Sequence, residues 1–119
     1  MVTQRQLEPT PAERRAQEQI AGRLSAIGFV LPGSVSSRTS RCGNPGCVCH
    51  LDETRHHGPY LTWTRKFENK TLTRALSTEQ LERYRPWFDE HRRLRQLTKD
   101  LEVISLRAAN RIEQWGLPD

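Results

Sequence analysis

The sequence predicts an α+β fold: an N-terminal helix, a small antiparallel β-meander or hairpin carrying a Cys/His loop, and a long C-terminal helix. Three observations predict it. Apolar residues recur every three or four positions at both ends of the chain, they alternate in the middle, and all three cysteines fall within 42–49, shortly before the alternation begins. The 119 residues suffice for one small domain with an appended helix. Only 34% of them are apolar and 28% are charged, with a mean hydropathy of -0.79. Such a composition excludes a membrane-embedded protein, leaves a thin interior and disfavours a large enclosed cleft.

The tail over 1–9 is polar and predicted to be disordered. Thr10-Pro11-Ala12-Glu13 then reads as a capping box with proline at the first helical position. Ala16, Ile20, Leu24 and Ile27 form one face of a helix within 10–28 that Gly28 is expected to stop. Residues 29–76 make the central module. Pro32-Gly33 turns the chain, and 34–41 is rich in β-formers and hydroxyls. Over 60–67, Tyr60, Thr62, Thr64 and Lys66 point one way and Leu61, Trp63, Arg65 and Phe67 the other. A turn over 68–70 and a return over 71–76 complete a hairpin.

Ser77-Thr78-Glu79-Gln80 is a second capping box and opens the segment 77–116. Pro86 predicts a kink or break. Beyond it, Trp87, Leu94, Leu97, Leu101, Ile104, Ala108, Ile112 and Trp115 step along one helix face. A helix over 86–115 would be about 45 Å long, more than the central module can cover. The stripe is therefore expected to meet the first helix or to pair with a second copy as a coiled-coil homodimer.

Cys42, Cys47 and Cys49 lie close to three histidines. Asn44-Pro45-Gly46-Cys47 predicts a type II turn that folds Cys42 towards Cys47, and an extended 47–49 would place Cys47 and Cys49 on one side. Three thiolates need a fourth donor to complete a tetrahedral Zn²⁺ site. His57, beside Gly58-Pro59, is the favoured candidate, with His56 and His50 as alternatives. A closed four-ligand site is structural rather than catalytic, and neither paired carboxylates nor a nucleophile–base pair stands out, so no enzyme is expected. With no export signal at the N-terminus and an odd cysteine count, the cytoplasm is the expected compartment, with thiols reduced.

The net charge is +5 and the isoelectric point about 9.6. Arg65, Lys66, Lys70 and Arg74 face Glu68 alone over 60–76, and they interleave with aromatic residues. Arg92, Arg93 and Arg95 extend the positive charge onto the last helix. Cations among aromatics suit phosphate contacts and base stacking, so nucleic acid is the expected partner. A protein–protein adaptor acting through the C-terminal helix, without any nucleic-acid role, is the alternative.

Taken in order, RCGNPGCVCH, HGPYLTWTRK, NKTLTRALSTEQ and RYRPWFDEHRRLRQL resemble a group of small bacterial proteins, common in actinobacteria, that form a domain of unknown function. The resemblance spans about 34–97 and carries no activity with it. Residues 58–80 also resemble the N-terminal arm-binding hairpin of tyrosine recombinases, although the chain lacks a recombinase catalytic domain. That likeness implies DNA rather than RNA.

Overall fold

The computed structural model describes residues 7–118; residues 1–6, most of the expected tail, lie outside the described residues. The elements are α1 (Pro11–Ser25), β1 (Ser34–Ser40), β2 (His57–Phe67), β3 (Lys70–Leu76) and α2 (Thr78–Glu113), with short 3₁₀ turns at Val48–His50 and Glu53–Arg55. The fold is α+β. Two compact units divide the chain: residues up to Val30 together with those from Asp89 onward, and Leu31–Phe88. No helix among the described residues is long and apolar enough to cross a membrane.

In the helical unit, Thr10 Oγ1 accepts the Glu13 N–H at 3.1 Å, and Glu13 Oε1 accepts the Thr10 N–H at 2.7 Å. α1 ends at Ser25, short of the expected stop at Gly28. The Ser25 hydroxyl donates to the Gly22 carbonyl at 2.6 Å, and the Gly28 N–H turns away from the helix to Glu90 Oε2 at 3.0 Å. At the other end of α1, Arg111 donates to Glu13 Oε1 at 2.8 Å and to the Glu8 carbonyl at 2.9 Å. These two ties set α1 antiparallel to the second part of α2. Ile20, Leu97 and Ala108 are buried, and Leu94, Leu101, Ile104 and Ile112 are half-buried. The centre of the predicted stripe thus faces α1 of the same chain. Trp115 falls off the stripe. Gln114 takes φ 56 just past the helix end, the Asn110 side chain holds Leu117, and Trp115 is 58% exposed.

α2 opens with the second capping box, Ser77 Oγ accepting from Gln80 N–H at 3.0 Å and Gln80 Oε1 from Ser77 N–H at 2.8 Å. Of the kink or break expected at Pro86, the break does not occur; one helix runs through it. Proline removes one N–H from the ladder, and neighbours brace that turn from the side. Tyr84 and Trp87 meet edge to face at 5.1 Å, and the Trp87 carbonyl accepts the Leu31 N–H at 3.0 Å.

The sheet has the order β1-β2-β3, antiparallel throughout. Gly33 leads into β1 with φ 114. A Cβ there would lie 2.5 Å from Trp63 Nε1, the same nitrogen that donates to the Pro32 carbonyl at 2.8 Å. The turn between β2 and β3 is Glu68-Asn69, with φ 50 and 65. Two left-handed residues make a type I′ turn, whose twist matches the strands. Register then defines two faces. One carries Val35, Leu61, Trp63, Leu72 and Leu76, all half-buried, with Arg65, Phe67, Lys70 and Arg74. The other carries Tyr60, Thr62, Thr64 and Lys66 with their partners on β1 and β3.

Candidate metal centre

The loop between β1 and β2 is closed at its base by strand pairing. Ser40 pairs with His57 across an irregularity that begins after Arg38. Cys42 therefore starts just beyond one foot of the loop, and His57 forms the other. Gly58 makes this possible. Its φ is 115, and a Cβ would lie 2.9 Å from the Arg38 carbonyl oxygen and from the Tyr60 nitrogen, so only glycine lets the strands close here.

Within the loop, the Asn44 carbonyl accepts the Cys47 N–H at 3.1 Å, and Asn44 Oδ1 accepts the Gly46 N–H at 3.0 Å. The turn forms, but Gly46 is not among the residues with positive φ, so it is not the expected type II. The asparagine side chain supplies the extra bond instead. Nor is 47–49 extended. Cys47 caps a 3₁₀ turn over Val48–His50, which swings Cys49 inward. Asp52 supports the next turn by accepting from the Thr54 hydroxyl at 2.7 Å and the Thr54 N–H at 2.9 Å. These bonds, the hydroxyl's first, hold the Asp52 carboxyl below its ordinary range.

Cys42, Cys47, Cys49 and His57 converge, each offering a donor atom within 4.8 Å of all the others. Such a Cys₃His group could hold a metal ion. Cys49 Sγ lies 3.6 Å from Cys42 Sγ, and Cys47 Sγ lies 3.3 Å from His57 Nε2. The Cys42 N–H donates to Cys49 Sγ at 3.4 Å. Cys49 is fully buried, with 0% exposure, and burial pushes its thiol up. The Cys47 thiol is lowered to about 6, first by a hydrogen bond from the Cys49 backbone and then by His57. A thiol that ionises this readily suits metal ligation.

The other two histidines are placed differently. His50 Nε2 sits 2.8 Å from the Cys42 carbonyl. A carbonyl only accepts, so this nitrogen carries the proton and His50 props the loop from outside the donor cluster. His56 lies outside the cluster too, with a buried Nε2 that has no hydrogen-bond partner.

A family model for a domain of unknown function (DUF6788) matches residues 10–86. The chain belongs to DUF6788. The match takes in α1, the Cys/His loop and the whole sheet, so it begins earlier and ends earlier than the 34–97 suggested by the sequence motifs. No curated protein and no solved structure matches the chain.

The basic residues of this DUF6788 chain are distributed unevenly. Arg65, Lys70 and Arg74 share the face that carries Phe67, and the Arg65 guanidinium lies 5.8 Å from the Phe67 ring centroid. Lys66 is on the opposite face. Arg65 Nε donates to the Lys66 carbonyl and Arg74 to the Thr73 carbonyl. On α2, Arg92 pairs with Asp89 and Arg93 with Glu90, which leaves Arg95 as the cation of that trio without a carboxylate partner among the described residues. Lys99, which is not among the contact residues expected from the sequence, lines a shallow groove with Arg92, Arg95 and Gln96. Its signal was the i, i+3, i+7 spacing of Arg92, Arg95 and Lys99.

Proposed function

We propose that this chain is a non-enzymatic, zinc-stapled module that binds nucleic acid through its sheet. The observation that carries the metal half is the spacing of the donors. Zn–S bonds of about 2.3 Å and Zn–N bonds of about 2.0–2.1 Å at tetrahedral angles require S···S near 3.8 Å and S···N near 3.6 Å. The observed 3.6 and 3.3 Å come close to these values, and thiolate with imidazole is a donor set zinc prefers. The ion would do structural work. Cys49 is the one buried residue among the described residues of the sheet unit, and zinc binding can contribute about 10–16 kcal/mol to a domain whose apolar core is too small. Such a site fits a reducing compartment, and we place the protein in the cytoplasm.

The nucleic-acid half rests on charge. The three strands carry Arg38, Arg65, Lys66, Lys70 and Arg74 and not one carboxylate, and among the described residues no ion pair involves any of these five side chains. A sheet left uniformly positive suits a polyanion. Arg95 and Lys99 add charge on α2, whereas Arg92 and Arg93 are already neutralised by their neighbours.

Two measurements test the reading. Elemental analysis of the purified chain should give stoichiometric zinc that is lost, together with the folded sheet, in Cys47→Ser; a metal-free parent with an intact sheet would sink the metal assignment. Binding to labelled oligonucleotides should weaken steeply with salt. Lys70→Glu/Arg74→Glu should weaken it uniformly across sequences. Absence of binding at low salt to duplex and single strand alike ends the nucleic-acid assignment.

A further inference from the structure

The two faces of the sheet are not equivalent. Ser34, Thr64 and Thr73 form a row of three hydroxyls across all three strands, and Ser36 with Thr62 begins the next row. Arg38 beside Tyr60 closes one end of this face, and Lys66 beside Thr71 the other. No carboxylate lies on it. Its outer-strand residues, Ser34, Ser36, Arg38, Thr71, Thr73 and Ala75, are all exposed, whereas Val35, Leu72 and Leu76 of the opposite face are half-buried. Tyr60 is 48% exposed.

Resting on the nucleic-acid reading above, we propose that this hydroxyl face is the contact surface and that its partner is B-form duplex DNA, entered through the major groove. Three considerations select that partner. The outer strands lie about 10 Å apart, two inter-strand spacings of roughly 4.8 Å, and the major groove of B-DNA is about 12 Å wide. The deep, narrow major groove of A-form RNA excludes a body of this width. Hydroxyls donate to and accept from base edges, threonine methyls meet the thymine methyl, and a two-sided donor/acceptor surface of this kind suits a groove that presents both.

The ends of the face supply charge where the backbone passes. Lys66 follows Tyr60 by six residue steps along β2, about 20 Å at roughly 3.3 Å per residue. Arg38 and Lys66 can therefore bracket the base edges, each reaching a phosphate while the hydroxyl rows lie between them. Arg65, on the opposite face and stacked on Phe67, has no part in this contact. Lys70 and Arg74, nearer the β3 edge, raise the local potential without touching bases.

The test compares variants of the 119-residue chain by fluorescence anisotropy on a labelled DNA duplex, the same sequence as an RNA duplex, and its single strand. Zinc content and circular dichroism check that each variant is folded. Arg38→Ala/Lys66→Ala should weaken duplex-DNA binding about tenfold or more and flatten the salt slope by roughly 2. Thr64→Val/Thr73→Val keeps shape and strand propensity but removes hydroxyls, and it should weaken binding and reduce discrimination between sequences. Ser37→Ala, a hydroxyl removed from the other face, should bind like the parent. Parental affinity in both double variants, or equal parental affinity for the RNA duplex or the single strand, overturns this proposal while leaving nucleic-acid binding in place. A parent that binds none of the three probes overturns the reading on which it rests.

Discussion

Glu13 does three things at once. It completes the cap of α1, pairs with Arg111, and so ties the start of one helix to the end of the other. The hydrogen bond from Arg111, followed by the Thr10 backbone, holds its carboxyl below the ordinary carboxylate range. A carboxyl with a lowered folded-state pKa stabilises above its unfolded value of about 4.3, and that stabilisation fades as pH falls through the lower folded value. Urea unfolding should therefore show Glu13→Gln less stable than the parent at neutral pH, with the gap closing as the pH falls below the unfolded carboxylate value of about 4.3. A gap that persists in acid would mean that the side chain acts through packing alone. His50 is legible only at this scale: its spacing marks it as a possible ligand, yet its hydrogen bond to the Cys42 carbonyl makes it a support.

At the scale of elements, the turn Glu68-Asn69 is a weak point. Its type I′ geometry needs left-handed conformations at both positions, and a glutamate there costs roughly 1–2 kcal/mol that asparagine largely avoids. Glu68→Asn should stabilise the chain by about 0.5–1 kcal/mol, read as a higher melting temperature without loss of zinc; an unchanged or lower value would show that the turn carries no strain. Both capping boxes and the hairpin were readable in the sequence because each is decided by residues three or four apart, or by strict alternation. The continuity of α2 through Pro86 was not readable. Beside it, the Trp87 carbonyl accepts the N–H of Leu31, a residue far away in the chain that local sequence rules do not bring near. Likewise, alternation separated Lys66 from Arg65 at once, but Arg38 joins the same face as Lys66 only through the pairing that sets it beside Tyr60.

Over the whole molecule, apolar burial is divided unequally. Ile20, Leu97 and Ala108 lie in the helical unit, while the sheet unit buries a thiol. The two units should therefore respond differently to a chelator. Hydrogen exchange should show β2 amides losing protection when the metal is stripped, while amides of α2 between 94 and 112 keep theirs. Simultaneous loss in both would mean that the chain unfolds as one body. The cysteine cluster is what leads the sequence to predict such a dependence, since a chain with so few apolar residues needs another source of cohesion. Which α2 residues would be covered by α1 was not announced, because the periodic stripe fits a neighbour from either the same chain or another copy.

The rung between Ser40 and His57 has one more consequence. A strand that slides by a single residue turns every side chain over, and β1, rich in small hydroxyl residues, has little apolar pattern of its own to resist sliding. Any such slip would carry the imidazole at the foot of the loop to the wrong side, out of reach of the three sulfurs. On the proposed metal site, coordination would proofread the alignment of the first two strands, rewarding one frame and leaving the neighbouring frames without an ion.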